Sequence, residues 1–165
     1  MTTKRGPPAA TAVAEYSFRQ RFRVPAAWAF RWCIDYTPED WAISGGHGTR
    51  KVLWLSATTV VLEDTSVLPT GRRVRKVRLV QVYPRTQSWV NTHIDGPNLY
   101  SQFHYSISSD GPRRSVLRFE GRELRWRGPR LSPAATRTLA ARLREEDAGL
   151  WKRYAAAMER EFSRG

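Results

Sequence analysis

Residues 132–162, SPAATRTLAARLREEDAGLWKRYAAAMEREF, are the longest periodic segment of this 165-residue chain. Ser132 and Pro133 are typical of a helix start, because a serine hydroxyl caps free backbone N–H groups and proline suits the first helical position. Apolar residues then recur at helical spacing along one stripe: Leu139, Leu143, Leu150, Tyr154 and Met158. The segment therefore predicts one helix of roughly 45 Å.

The region before this helix, residues 49–126, alternates apolar-rich runs with Gly, Pro and Asn turn signals. It predicts strands at 50–56, 58–65, 72–83, 88–95, 99–108 and 115–126. Connections of hairpin length join consecutive strands only when the strands are antiparallel. We therefore expect a six-stranded antiparallel meander.

A seventh strand precedes the meander in the chain. Within residues 15–23 the aromatic side chains fall on one face of a period-two pattern: Tyr16, Phe18 and Phe22. Residues 25–33 and a second short segment after Thr37 predict two short helices. Residues 1–14 contain Gly6 and two prolines and have no periodicity, so we expect a mobile tail there, followed by a single domain over residues 15–165.

This order of elements favours a two-layer α+β fold. Seven antiparallel strands form a curved sheet, two short helices follow the first strand, and the sheet wraps around the long C-terminal helix. A straight helix does not pack flush along a strongly curved sheet. We therefore expect a cavity between the two layers, and apolar clefts of this kind usually hold ligands.

Four segments of the sequence carry a likeness to a known family: Phe18–Pro25 (FRQRFRVP), Trp32–Tyr36 (WCIDY), Gly71–Arg75 (GRRVR) and Val82–Pro84 (VYP). With the order of elements, they make the chain similar to the START-like SRPBCC superfamily of helix-grip proteins. That superfamily includes polyketide cyclases and aromatases, lipid-transfer START domains, plant hormone receptors and pollen-allergen-type carriers. The resemblance implies a hydrophobic ligand such as a lipid, polyketide, isoprenoid or sterol-like molecule.

The fifth and sixth strands predict which side chains face this cavity. If Asp95 lies opposite Tyr100, the sheet has an apolar face of Val90, Thr92, Ile94, Phe103, Tyr105 and Ile107. The other face then carries Trp89, Asn91, His93, Gln102, His104 and Ser106. Because this register separates apolar from polar side chains cleanly, we expect the apolar set to face the helix.

Ten residues follow as candidate ligand contacts: Trp54, Leu62, Thr92, Phe103, Tyr105, Phe119, Leu143, Leu150, Tyr154 and Met158. Trp54 and Leu62 are included although both faces of their hairpin are apolar. The hydroxyls of Thr92 and Tyr105 either orient a ligand or, for Tyr105, reach a protein partner from a packed core. Trp151 lies beside the helical stripe and is expected to border an entrance.

No motif predicts a metal, a cofactor or a specific catalytic residue. The expected register places His93 and His104 on the solvent face without a third zinc ligand. Residues 44–51, SGGHGTRK, depart from the phosphate-loop pattern, because a strand rather than a helix follows Gly48. We interpret this segment as a flexible connection that brings His47 near the cavity entrance.

The chain is strongly basic, with 28 Lys and Arg against 15 Asp and Glu and a net charge of +13. All but four of these cations are arginines, and they are spread along the chain, which is typical of a solvated surface. An arginine-rich outer sheet face that binds RNA or an anionic membrane is the alternative, with Trp89 and Trp126 as candidate stacking residues.

The composition also bounds the location of the protein. No segment approaches 18 consecutive apolar residues, so a transmembrane helix is not expected. One cysteine, Cys33, excludes an intrachain disulfide and is compatible with a reducing compartment, so we expect a cytoplasmic protein. The sequence thus favours a carrier or sensor of a hydrophobic small molecule, with a polyketide-type cyclase or dehydratase as the enzymatic alternative.

Overall fold

The computed structural model describes residues 9–165, in which the chain forms seven strands and three α-helices. The strands are β1 (Ala12–Phe22), β2 (Gly48–Ser56), β3 (Thr59–Val67), β4 (Arg73–Tyr83), β5 (Ser88–Asp95), β6 (Gln102–Ser109) and β7 (Ser115–Arg125). The helices are α1 (Ala26–Ile34), α2 (Asp40–Ile43) and α3 (Pro133–Arg164). A single 3-10 turn, Pro84–Thr86, joins β4 to β5.

The seven strands form one curved antiparallel sheet in the order β1-β7-β6-β5-β4-β3-β2. Strands β2 to β7 are neighbours in chain order, as a meander requires, and β1 pairs with β7. This pairing places the first strand beside the last strand, so β1 and β2 are the two edges of the sheet. The helix-grip α+β fold predicted from the sequence is confirmed.

Helix α3 begins as predicted and lies across β1. The Ser132 hydroxyl accepts a hydrogen bond from the backbone N–H of Ala135 at 3.1 Å, with Pro133 in the first turn. Further along, the Arg144 Nε donates to the carbonyl of Ser17 at 2.9 Å, and the N–H of Arg23 donates to Glu159 at 2.9 Å. These contacts hold the helix against the β1 edge of the sheet, and they leave space above the strands on the same face that lie nearer β2.

The apolar core lies between the sheet and the helices, and it takes side chains from β1 and from β3 to β7. Tyr16, Phe18 and Phe22 all point inward from β1, as their alternation predicts, and each is no more than 9% exposed. The rings of Phe18 and Phe119 stack with centroids 4.5 Å apart. Ser115 is fully buried here, and its hydroxyl donates to the carbonyl of Val24 at 2.9 Å.

Strand β1 begins at Ala12, three residues before residue 15, where the sequence predicts the start of the domain. The Thr11 N–H donates to the carbonyl of Arg125 at 2.7 Å, so the strand pairing with β7 reaches back beyond residue 15. Residues 9 and 10 precede the strand. Residues 1–8 of the expected tail lie outside the described residues.

The predicted register of β5 and β6 is also wrong, by one residue. Trp89 lies opposite Tyr105 and Asn91 opposite Phe103, so β5 turns its other face inward. Trp89, Asn91 and His93 are therefore buried, and Ile94 is 44% exposed. The connection between β5 and β6 includes Leu99, Tyr100 and Ser101, so β6 begins only at Gln102. Within this connection Tyr100 has a left-handed φ of 64°.

Candidate ligand cavity

A cavity of about 340 Å³ lies between the inner face of the sheet and α3. Strands β2 to β7 form its floor, residues 147–154 of α3 cover it, and α1 and α2 close its side. Its volume is near the lower end of the range of roughly 300–1,000 Å³ that ligand pockets span. The space between the layers that the fold predicts is therefore present.

One wall of the cavity is aromatic. The rings of Trp89 and Tyr105, opposite each other on β5 and β6, stack with centroids 4.8 Å apart and only 3° between their planes. The ring centroid of Trp151, on α3, lies 5.6 Å from that of Tyr105 and 5.3 Å from that of Tyr154. Phe103 completes the wall beyond Tyr105. Flat rigid faces of this kind suit a planar ring system.

A buried ion network forms the opposite wall. The Arg50 guanidinium donates to both carboxylate oxygens of Asp64, at 2.7 and 3.1 Å, and Arg78 donates to Asp64 from the next strand. Burial opposes ionisation of Asp64, but the two guanidinium groups outweigh it and lower the pKa of this carboxyl. The Arg50 guanidinium also lies over the Trp41 ring, 5.7 Å from its centroid. Asp64 therefore stays ionised and fixes both arginines.

A second polar group lies where α3 faces β7. The Tyr16 hydroxyl donates to Oδ2 of Asp147 at 2.6 Å, and Arg125 donates to Glu123 at 2.7 Å. Burial, together with the negative charges of Glu123 and Glu146, raises the pKa of Asp147 to about 6. Burial also lowers the pKa of Lys76 against the attraction of Glu123 and Asp147. Asp147 can thus exchange a proton near neutral pH.

Three side chains that line the cavity have a buried polar atom without a hydrogen-bond partner among the described residues: Trp41 at its indole Nε1, and the more polar Asn91 and His93. On Asn91 and His93 the atoms are Oδ1 and Nδ1, and these two residues are 4% and 6% exposed. Burial lowers the pKa of His93 to about 3, assisted by the charges of Arg78 and Lys76. The imidazole is therefore neutral at pH 7, and a buried polar atom without a partner is costly unless a ligand or water pairs with it.

The ten predicted contacts divide into three groups. Four of them line the cavity: Phe103, Tyr105, Leu150 and Tyr154. Four belong to the packed core instead: Leu62, Phe119, Leu143 and Met158. Two lie away from the cavity, because the Trp54 side chain reaches the outer side of α1 and Thr92 points to the outer face of the sheet. Trp151, which was expected beside an entrance, is buried and lines the cavity from α3.

The sequence reasoning missed the polar lining of the cavity, although a signal for part of it exists. Asp64 lies two residues from the buried Leu62 on β3, and Arg78 lies two residues from the buried Val80 on β4, so each charged side chain shares a face of the sheet with a buried one. Alternation alone therefore turns both charges inward. His93 was expected on the solvent face; the observed register overturns that expectation, whereas His104 is exposed.

Three further expectations concern His47, metal binding and membrane-spanning helices. His47 is exposed and lies outside the cavity lining, which its neighbour Ser44 reaches. Within residues 9–165 no group of three His, Cys, Asp or Glu side chains is arranged to hold a metal ion. In the same part of the chain, none of the helices is both long enough and apolar enough to cross a membrane.

The outer face of β1 and β7 carries the arginines that suggested a nucleic-acid or membrane surface. Arg19 lies directly opposite Arg118, while Glu15 and Glu120 pair with Arg122 and Arg118. Trp89 is buried and is not available for base stacking, and the Trp126 indole N–H donates to the carbonyl of Leu99. Binding of RNA or an anionic membrane stays a prediction.

Solved structures of other proteins share this arrangement. The Zhui aromatase/cyclase from Streptomyces sp. R1128 superposes with a TM-score of 0.73 at 12% identity, over 91% of this chain and 96% of that one. A START superfamily protein from Mycobacterium smegmatis gives 0.68 at 14% identity, over 88% and 97%. Ara h 8.0201 gives 0.67 at 14% identity, over 89% and 98%.

The sequence matches no protein-family model and no curated protein. The identities to the solved structures are low, so the shared property is the fold. The chain therefore has a START-like helix-grip fold, which it shares with these solved structures.

Proposed function

We propose that this protein binds a small oxygenated aromatic molecule, of the polyketide or polyphenol class, in the cavity under α3. The observation that carries the proposal is the pair of unpartnered atoms on Asn91 and His93, which lie on β5 beside the aromatic side chains of Trp89 and Phe103. The Asn91 oxygen accepts a hydrogen bond, and a neutral imidazole carries one donor and one acceptor. A ligand with hydroxyl groups on a flat ring satisfies the polar atoms and the aromatic side chains at once.

This proposal narrows the hydrophobic ligand class expected from the sequence. A saturated lipid chain would leave the Asn91 and His93 atoms unpaired and would place methylene groups beside Arg50 and Arg78. Both consequences cost free energy, because buried polar and charged groups need partners. The carrier or sensor role is retained, and the ligand becomes planar and hydroxylated.

A matched pair of probes tests the proposal: 1,8-dihydroxynaphthalene and naphthalene, followed by quenching of tryptophan fluorescence. We expect Asn91→Leu and His93→Phe to weaken binding of the dihydroxy compound by about tenfold each, since one lost hydrogen bond is worth roughly 1.4 kcal/mol. Binding of naphthalene should be unchanged. Thr92→Val, on the outer face between the two residues, is the control and should affect neither probe.

Palmitate serves as the lipid competitor in the same assay. Displacement of the dihydroxy compound by palmitate at equal or lower concentration would contradict the planar ligand. Equal binding of both naphthalenes by wild type and variants would remove the assigned role of Asn91 and His93. Either result returns the ligand class to the broader hydrophobic one.

Catalysis by the same cavity is the second candidate, and Asp147 favours it. A carboxyl group with a pKa of about 6 that faces an aromatic cavity is suited to general acid–base work near neutral pH. In a polyketide-type cyclisation, its carboxylate would remove a proton from the carbon beside a carbonyl, and that carbon would attack a second carbonyl. Loss of water would then give the enone. The likeness in fold to an aromatase/cyclase agrees with this chemistry without assigning it.

A simple diketone distinguishes binding from catalysis. 2,6-Heptanedione cyclises to 3-methylcyclohex-2-enone with release of one water, and the product absorbs in the ultraviolet. If Asp147 is the base, wild type accelerates the reaction and Asp147→Asn does not, while both proteins still bind 1,8-dihydroxynaphthalene. If the two proteins give the same rate, Asp147 has no such role.

A further inference from the structure

Strand β2 is an open edge of the sheet with an apolar surface. Among the described residues no strand pairs with its outer side, so a row of its backbone N–H and C=O groups is free. Three consecutive large side chains of this strand are exposed: Leu53 at 59%, Trp54 at 44% and Leu55 at 58%. Edge strands are usually protected by charges, prolines or bulges. Here a bulge between Trp54 and Ser56 bends only the end of the strand.

The apolar surface continues from the edge onto the outer face of the sheet. Leu53 lies opposite Val61 of β3, and Val61 lies opposite Leu79 of β4. Three neighbouring strands thus present one apolar row on the side of the sheet away from α3. A row of this kind beside an open edge marks a site of protein association.

The charges at this edge are matched, in contrast to the rest of the chain. Arg50 pairs with Asp64, and Lys51 lies 3.5 Å from Glu63. The net charge of the whole chain is +13, so two copies repel each other over most of their surface. At the β2–β3 edge this repulsion is small, and an anionic partner would be drawn to the arginine-rich faces instead.

We propose that β2 pairs antiparallel with β2 of a second copy, which joins two sheets into one across a two-fold axis. With the axis near Leu53, the Leu53 side chains of the two copies meet, and Lys51 of each copy lies beside Leu55 of the other. The cations therefore stay apart, and the free backbone groups of each strand find partners. The pairing also covers Leu53 and Leu55, which are the most exposed side chains of the apolar surface.

Sedimentation velocity from low to high micromolar concentration tests this pairing on the full chain. We expect a reversible dimer, and we expect Leu53→Arg combined with Leu55→Arg to raise its dissociation constant by at least about 30-fold. Tyr83→Arg is the control, because Tyr83 is 47% exposed on another part of the sheet and should leave the dimer intact. Near-ultraviolet circular dichroism verifies that each variant is folded.

Cross-linking locates the axis independently. Leu53→Cys in a Cys33→Ala background has one thiol per chain, and mild oxidation of the dimer should give a covalent dimer in high yield. A protein that is monomeric at every concentration overturns the proposal. A dimer that survives the double arginine variant, or that does not cross-link at residue 53, places the interface elsewhere and overturns it as well.

Discussion

The Tyr16 hydroxyl donates a 2.6 Å hydrogen bond to Oδ2 of Asp147 and so connects β1 to α3 beside the cavity. Burial and the neighbouring carboxylate raise the pKa of the Tyr16 phenol far above its usual value, which keeps this group a donor. The hydrogen bond favours the ionised form of Asp147, yet burial dominates and raises the pKa of its carboxyl to about 6. Protonation of this carboxyl therefore makes the packing of α3 against the sheet depend on pH.

The first prediction concerns the pH dependence of stability in Asp147→Asn. An acid whose pKa rises from 3.8 to about 6 on folding binds more protons in the folded state between these values. The contribution of the protonated Asp147 to the stability of the wild type is therefore fully present below pH 3.8, and it is lost as the pH rises through 6. Relative to wild type, Asp147→Asn should gain about 1–3 kcal/mol between pH 4 and pH 7, measured by urea unfolding.

Glu146→Gln is the matched control, because the adjacent Glu146 side chain is 62% exposed and lies 3.6 Å from Arg142. Its stability difference from wild type should change much less over the same pH range. If the stability difference between Asp147→Asn and wild type does not change with pH, the Asp147 carboxyl is ionised in both the folded and the unfolded state. It would then not be suited to act as a base of raised pKa.

The second prediction concerns the protonation state of His93. Burial and the charges of Arg78 and Lys76 lower its pKa from 6.5 to about 3, so the imidazole stays neutral at pH 5. We expect its NMR ring signals, assigned by their loss in His93→Gln, to keep the neutral shifts from pH 7 to pH 5. Because the folded pKa is the lower one, the stability from neutral His93 is present above pH 6.5 and is lost toward pH 3. A His93 signal that titrates near pH 6 would contradict the closed, cationic surroundings.

The fold could be predicted from the sequence because periodicity and turn signals act locally. The helical stripe of residues 139–158, the alternation in residues 15–23 and the short connections each constrain one element and its neighbour. Together they leave one sheet order that a meander closed by β1 satisfies. The start of β1 was missed because the hydrogen bond of Thr11 to Arg125 joins residues far apart in sequence.

The site could be predicted only in part, because the rule that apolar side chains point inward does not hold at a cavity. Asn91 and His93 point inward beside open space, where polar groups can meet a ligand or water. The rule therefore chose the register that hides Thr92 and exposes His93, one residue from the observed one. On β6, Phe103 and Tyr105 are held inward by β7, where Gly121 lies opposite Phe103 and Phe119 opposite Tyr105.

The third prediction concerns the ion network of Asp64. Asp64→Asn keeps the shape of the side chain but leaves Arg50 and Arg78 without their shared negative partner in a buried site. We expect a loss of about 3–5 kcal/mol in the free energy of unfolding, since removal of one member of a buried ion pair leaves an uncompensated charge. Glu63→Gln, one residue away and paired only with Lys51 and Arg75 at the surface, should shift the urea midpoint little. Similar losses in the two variants would mean that the network is solvated.

The last prediction uses two glycines with opposite surroundings. A methyl group at Gly121 would lie 2.9 Å from the Phe119 ring and 3.0 Å from the Tyr16 ring, which are both fixed in the core. Gly121→Ala should therefore cost about 1–3 kcal/mol, and it should also displace Tyr16 from Asp147. At Gly149, within α3, an added methyl group meets no atom within 4 Å, so Gly149→Ala should stabilise the helix by about 0.5–1 kcal/mol. Thermal unfolding measures both signs. If Gly121→Ala is neutral, the Tyr16 and Phe119 rings have room to move, and the close packing that positions Asp147 is absent.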